Sequence, residues 1–497
     1  MKVFSKQRDA LDILAFPSEA LVEKGQYLVV SEGEKFMLAQ VIDVNYAEIP
    51  GILEDMLREV SLEAVNHESV FDPFETGSLT MMIKDARMIK CKIRCIVEGS
   101  RVVHNSSWLP SRFRSEVYAA RAEQLRNMMG LMGRRRVRIG TLGGEDFWVD
   151  AESFDGRLTI ITGKKETGKS HITKLITTAL VEYGALVIVL DINGEYVNLK
   201  RKVDGGQSSL ALRHEVLEPG RNFRVKTEDV GLRTFMDILI HVYETPSSSC
   251  REFFRIWNMV KKSKGSVTLR NLMDVIQRAQ LHESVKEALI TRLMAMEATG
   301  IFADEEYEVP SFEEVVKYTG GKIIVVNLRD LLPSTRRMVV EYLLSKLTEL
   351  LHARRIPPIF LVAEEAHLYL RDTYWDDMIT RMRHLGLSPI FVTNQPDSIP
   401  ETIYRQADNI ILFNFTNEAD LEAIARTSRM DSESVKAIVA SLPPRYCLLI
   451  GYLVRDIPVV VKVREVDVDT MGKTRLFFDV HDREHLHIAR AISEREA

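Results

Sequence analysis

The sequence predicts an α/β protein: a mostly parallel sheet covered by helices on both faces, a helical insertion within it, and a small N-terminal β-barrel in front. Three observations predict this. From about residue 157, short apolar runs alternate with helical segments, the pattern of strands buried on both faces. Residues 228–300 replace that alternation with helical periodicity alone. Residues 1–110 carry short strand-like runs parted by turn residues.

Taken in order, Gln26 to Val30 and Lys35 to Val44 flank Ser31-Glu32-Gly33-Glu34, which reads as a hairpin turn. Met82 to Val97 supplies further strand-like segments for the barrel. A charged helical stretch, Glu116 to Met132, is read as a linker helix within 111–133. The parallel sheet is expected from 134–227 and 301–464, with strands at Leu158–Thr162, Ala185–Asp191, Lys322–Asn327, Ile359–Glu364, Pro389–Thr393, Asn409–Phe413, Cys447–Leu453 and Val459–Val463. In the insertion, Phe235, Ile238, Leu239 and Val242 recur at i, i+3, i+4 and i+7, as do Leu269, Leu272, Met273 and Ile276, each set making one apolar helix face. Leu293-Met294-Ala295-Met296 reads as core filler. The charged residues 465–497 are expected to form an arm.

Composition limits the function. The chain has 497 residues, 45% of them hydrophobic, with a net charge of −5, so it does not look like a protein that coats nucleic acid with a basic surface. No run approaches the roughly 20 apolar residues of a membrane span, and the N-terminus lacks a signal-peptide core, so a cytoplasmic protein without a membrane partner is expected. The four cysteines are read as reduced structural thiols; Cys91 and Cys95, on one strand-like run, are expected on one face with no second pair to make a zinc site.

The chemistry begins at Gly163-Lys164-Lys165-Glu166-Thr167-Gly168-Lys169-Ser170, between a strand-like run and a helix-like run that starts near His171. Glycines at that spacing let successive backbone N–H groups converge on phosphates, and the following helix adds its N-terminal partial positive charge. Lys169 can reach the β- and γ-phosphates, and the Ser170 hydroxyl can bind Mg²⁺, so ATP with Mg²⁺ is the expected ligand. Lys164 and Lys165 add charge inside the loop. The apolar run Ile359 to Ala363 ends in Glu364 and Glu365. Glu364 is placed to meet the metal, and Glu365 to polarise an attacking water. Asp191-Ile192-Asn193-Gly194-Glu195-Tyr196 and Thr393-Asn394-Gln395-Pro396 also end strands, where α/β proteins bind ligands. Asn394 is a candidate for holding the γ-phosphate or the lytic water, and Arg381, Arg383 and Arg405 are candidate arginine fingers. Lys200, Arg201 and Lys202 are a candidate DNA-facing group, although a solvated loop is the simpler reading.

The order of these motifs resembles the HerA family of hexameric DNA translocases, within the HerA–FtsK group of P-loop motors. Asp191-x-x-Gly194-Glu195-Tyr196 and Glu364-Glu365-Ala366-His367 are the specific parts, followed by Arg383-x-x-Gly386 and Thr393-Asn394-Gln395-Pro396. The resemblance implies a RecA-like ATPase core, a homohexameric ring with ATP between subunits, and duplex DNA through its pore. It implies work beside a nuclease of the NurA type in DNA-end processing, or with an effector in anti-phage defence. By motif, Lys169 and Ser170 hold phosphate and Mg²⁺, Glu365 is the base, Asn394 takes the sensor position, Arg383 acts across the subunit interface, and Arg157 lies near the nucleotide. Two functions compete on this reading: a DNA translocase or helicase driven by ATP hydrolysis, and a ring scaffold that presents a partner enzyme. A small-molecule kinase fits less well, since it needs no paired glutamates at a strand end.

Overall fold

The computed structural model describes residues 1–19, 21–47, 85–98, 101–103, 107–304, 310–317, 320–368, 375–427 and 430–469. The expected arm over 465–497 therefore lies mostly outside the described residues, as does the start of the Met82 to Val97 segment. Among the described residues the chain forms two compact units: one of residues 1–179, 365–368 and 375–465, the other of 180–364 and 466–469.

The first unit opens with seven strands: β1 (Lys2–Gln7), β2 (Ala10–Ala15), β3 (Tyr27–Glu32), β4 (Lys35–Tyr46), β5 (Arg87–Glu98), β6 (Arg101–Val103) and β7 (Glu116–Ala119). The expected hairpin is β3–β4, paired from Glu32↔Lys35 outward. The closed barrel is not seen. The sheet runs β1-β2-β5-β4-β3-β7 with β6 on β5, and among the described residues no ladder joins the edges β1 and β7. The linker helix is shorter than expected. Residues 116–119 pair with β3, and only α1 (Ala122–Met128) is helical, because Val117 and Tyr118 gain more from sheet pairing than from a solvated helix.

A β-bulge opposite Leu38 and Ala39 breaks the alternation of β5 at Arg94. Cys91 joins the apolar cluster with Leu11, Ile13, Val30 and Met37, whereas Cys95 does not. The expectation that both thiols share a face is thus corrected. All four cysteines are free and buried, and burial raises the Cys95 thiol to about 11. Past the bulge, this sheet docks on the rest of its unit. Tyr27 Oη donates to Pro458 O at 2.7 Å, Gln40 Nε2 to the same carbonyl at 3.1 Å, and Arg94 to Asp431 at 2.8 Å.

The strands β8 (Arg136–Leu142), β9 (Glu145–Asp150) and β10 (Thr159–Thr162) and helix α2 (Lys169–Glu182) follow. The chain then enters the second unit with β11 (Leu186–Asp191) and β12 (His214–Leu217). β12 was not anticipated; a four-residue edge strand with two polar residues gives no apolar run to read. The insertion is helical as expected: α3 (Thr227–Asp237), α4 (Ser247–Lys264), α5 (Leu269–Arg278) and α6 (Glu283–Glu297). Phe235, Ile238, Leu239 and Val242 are all buried, carried across a π-helical turn at Ile238–Val242. Leu293 and Met296 are core, but Met294 is exposed.

After α7 (Phe312–Val315) come β13 (Lys322–Asn327), α8 (Pro333–His352) and β14 (Ile359–Ala363). In this unit β12, β13, β11 and β14 lie side by side, all parallel. The chain then returns to the first unit with α9 (Trp375–Leu385), β15 (Leu387–Thr393), α10 (Glu401–Tyr404), β16 (Asn409–Leu412), α11 (Glu418–Thr427), α12 (Ser432–Ser441), β17 (Tyr446–Gly451) and β18 (Val459–Val463). There β10 lies between β15 and β16, parallel to both, and β16, β17, β18, β8 and β9 continue antiparallel. No helix of the described residues is long and apolar enough to cross a membrane.

Candidate active site

The phosphate loop leaves β10, whose four residues are fully covered. Its two outer glycines are required by packing. A Cβ on Gly163 would lie 2.4 Å from Cβ of Phe413, and Gly168 has φ +118° with Phe413 Cε1 3.1 Å from where its Cβ would be. Glu166 takes φ +64°, completing the curl. The loop is tied down by Lys164 N–H donating to Asn414 O at 3.1 Å and Arg445 N–H to Thr167 O at 3.0 Å. Lys169 Nζ donates to Gly163 O at 2.8 Å and Lys164 O at 2.9 Å, which holds its ammonium within the curl. Ser170 and His171 open α2, and His171 N–H bonds back to Gly168 O. Lys164, Lys165 and Glu166 are exposed, so they line the outside of the loop.

The neighbours of β10 decide what faces the loop. Thr162↔Thr393 is a register pair, so Asn394 follows β15 as Gly163 follows β10. Glu365, at φ +48°, is held in the left-handed region that a non-glycine residue rarely adopts. His367 Nδ1 lies 3.1 Å from Thr393 Oγ1 and 3.5 Å from Glu365 Oε2, which links the glutamate to the end of β15. Glu365 Oε2 and Asn394 Oδ1 are buried with no hydrogen-bond partner among the described residues. Two orphaned oxygen acceptors at the strand ends beside the phosphate loop are groups to which a water beside a nucleotide would donate. This chain's residues therefore fit ATP and Mg²⁺.

In the second unit the paired motifs form a closed set. Asp191 accepts from the N–H groups of Gly194 at 2.9 Å, Glu195 at 3.1 Å and Tyr196 at 2.8 Å. Both its oxygens accept from its own turn, so Asp191 shapes the loop. That turn buries Tyr196, whose hydroxyl donates to Glu364. Glu364 is itself 4% exposed and ends β14.

The arginines are at the other end of β10. Arg383 Nη2 meets Asp408 Oδ1 at 2.5 Å, and Asp408 Oδ2 accepts from Leu158 N–H, just before β10, at 3.1 Å. Arg157 donates to the carbonyls of Glu152 and Asp155, and its guanidinium lies 3.5 Å from the ring centre of Tyr452. From Arg157 to Gly163 an extended chain spans about 20 Å. Both arginines therefore stand at the end of β10 opposite their own phosphate loop. Arg405 is an exposed partner of Glu401. Sequence reasoning missed Asp408 and the roles of Tyr196 and His367. Only the last two carried a signal, as members of quoted motifs.

Residues 137–347 match the family model described as the central domain of helicase HerA. The DNA double-strand break repair helicase HerA of Sulfolobus acidocaldarius is 24% identical over 484 residues, covering 91% of both chains. The same-named protein of Saccharolobus solfataricus is 24% identical over 389 residues, covering 71% of this chain and 73% of the relative. Among solved structures, the bacterial conjugative coupling protein TrwBdeltaN70 superposes with a TM-score of 0.50 at 13% identity, over 71% of this chain and 94% of that one. At that identity the likeness shows the fold alone, an α/β sheet.

Proposed function

We propose that this HerA-type chain is an ATP-driven translocase or helicase of double-stranded DNA that works as a homohexameric ring with ATP bound between subunits. The observation that carries the reading is the separation along β10: Lys169 follows one end, and Arg383, held on Asp408, stands at the other. A transition-state arginine that cannot serve its own phosphates fits one supplied to a neighbour. Lys169 would neutralise the β- and γ-phosphates, Glu365 would accept a proton from the attacking water at Oε2, and Asn394 would hold that water or the γ-phosphate. Mg²⁺, when bound, would neutralise phosphate charge, with the Ser170 hydroxyl as its candidate ligand beside the loop. The names of the relatives favour DNA-break repair, and the family resemblance suggests a nuclease partner of the NurA type, with an anti-phage effector as the other assignment.

ATP hydrolysis measured with and without duplex DNA tests this. Wild type should be stimulated by DNA, and Glu365→Gln should lose about 10²–10⁴-fold of the rate. A rate indifferent to DNA, from rings that still form on ATP, would replace the motor with a scaffold.

A further inference from the structure

Four residues after Tyr196, the chain makes a tight hairpin. Arg201 bridges Gln207, Lys202 N–H donates to Gly206 O at 2.8 Å, and Gly205 N–H donates to Lys202 O at 3.0 Å. Its other edge is also stitched: Lys202 bridges Val468, Val203 N–H donates to Asp467 O, and Asp469 N–H donates to Arg201 O. The base is anchored by Leu199 and Leu210, both fully buried, and by Ser208 Oγ donating to Leu199 O. This backbone is fixed on both sides, yet Lys200, Arg201 and Lys202 are all exposed.

Those three cations make no ion pair among the described residues, unlike Lys264 with Asp274 or Lys346 with Glu349. The one acid in the turn, Asp204, is turned inward to accept from Gly206 N–H at 2.9 Å. With the backbone already fixed, only the side chains have to be ordered when these three charges meet an anion. The chain is acidic overall, so a local group of this kind marks a surface built for polyanions rather than a general basic coat.

We infer that the hairpin 200–207 grips the phosphate backbone of duplex DNA and is coupled through Tyr196 to Glu364 at the end of β14, whose carboxylate accepts from the Tyr196 hydroxyl. The coupling is short and continuous. Tyr196 O receives His214 Nε2 at 2.8 Å, Asn198 Nδ2 donates to Asp469, and the hairpin follows directly. Glu364 thus holds the tyrosine that lies four residues before the hairpin.

The inference rests on the proposed DNA translocase. It is tested with the full chain and a short duplex DNA, by following the affinity against salt. Replacing Lys200, Arg201 and Lys202 with alanine should lower the slope of log K against log salt by about 0.9 for each DNA phosphate that is no longer neutralised. The matched variant with Arg251, Lys261 and Lys262 replaced removes three exposed cations from α4 and should leave the slope near wild type. Fluorescent ADP binding checks that each variant is folded. Tyr196→Phe should keep the salt slope while the ratio of DNA-stimulated to DNA-free hydrolysis falls toward one. An unchanged slope in the hairpin variant, or equal reductions in both charge variants, overturns the grip; an unchanged ratio in Tyr196→Phe overturns the coupling. Wild-type protein that does not bind duplex DNA would instead sink the translocase reading itself.

Discussion

Asp408 holds Arg383 with one carboxylate oxygen and the start of the phosphate-loop strand with the other. The arginine is thus positioned by the strand whose far end carries Gly163. If Arg383 serves a neighbour, Arg383→Ala should lower ATP hydrolysis by about 10³–10⁵-fold. Lys169→Ala should be inactive for a different reason, having lost its own phosphate site. Mixed rings of the two variants should regain activity, because some interfaces then pair an intact phosphate loop with an intact arginine. Mixtures no more active than their components would place the finger elsewhere.

Tyr196→Phe removes the donor to a buried carboxylate and leaves Glu364 with one fewer partner. Removing such a supporting hydrogen bond typically weakens metal affinity by about 10–100-fold. The Mg²⁺ concentration for half-maximal hydrolysis should rise accordingly. An unchanged Mg²⁺ dependence would mean that Glu364 does not serve the metal.

The strands of the parallel sheet were legible because burial on both faces writes a continuous apolar run, as in Leu186–Asp191 and Ile359–Ala363. The phosphate loop was legible because its glycines answer a local need, the approach of Phe413 to Gly163 and Gly168. Asp408 was not, since its two partners lie 25 and 250 positions away and nothing near it in the chain announces them. The turn role of Asp191 was hidden for a related reason: an acid at a strand end gives no sign in the sequence of the three N–H groups aimed at it. The bulge at Arg94 likewise shifts the facing of Cys95 without any glycine or proline to mark it.

Gly168→Ala tests the packing argument directly. A side chain there meets both a left-handed φ of +118° and the Phe413 ring. The strain should cost about 1–3 kcal/mol of folding stability, or, where the loop relaxes to escape it, roughly a 5- to 150-fold loss of ATP affinity. Phe413→Leu in the same chain should restore only part of it, because the backbone conformation still disfavours alanine. Full restoration would show that the ring contact alone demanded the glycine.

The ion pair between Arg94 and Asp431 ties the N-terminal sheet to helix α12 at 2.8 Å. Burial alone would raise the Asp431 carboxyl, but hydrogen bonds from Arg94 and Ser434 and the Arg94 charge outweigh it, so its pKa is lowered in the fold. A depressed folded pKa contributes stability that is present above the unfolded value, near 3.9, and is lost as the pH falls through the folded value. Asp431→Asn separates this charge from the capping role, since asparagine also caps a helix by accepting from Ser434 N–H. The variant should lose about 1–2 kcal/mol at neutral pH, and the gap to wild type should close as the pH falls below about 3.9. Parallel unfolding curves that never converge in acid would show that the pair's charge contributes nothing and that shape alone seats the N-terminal sheet.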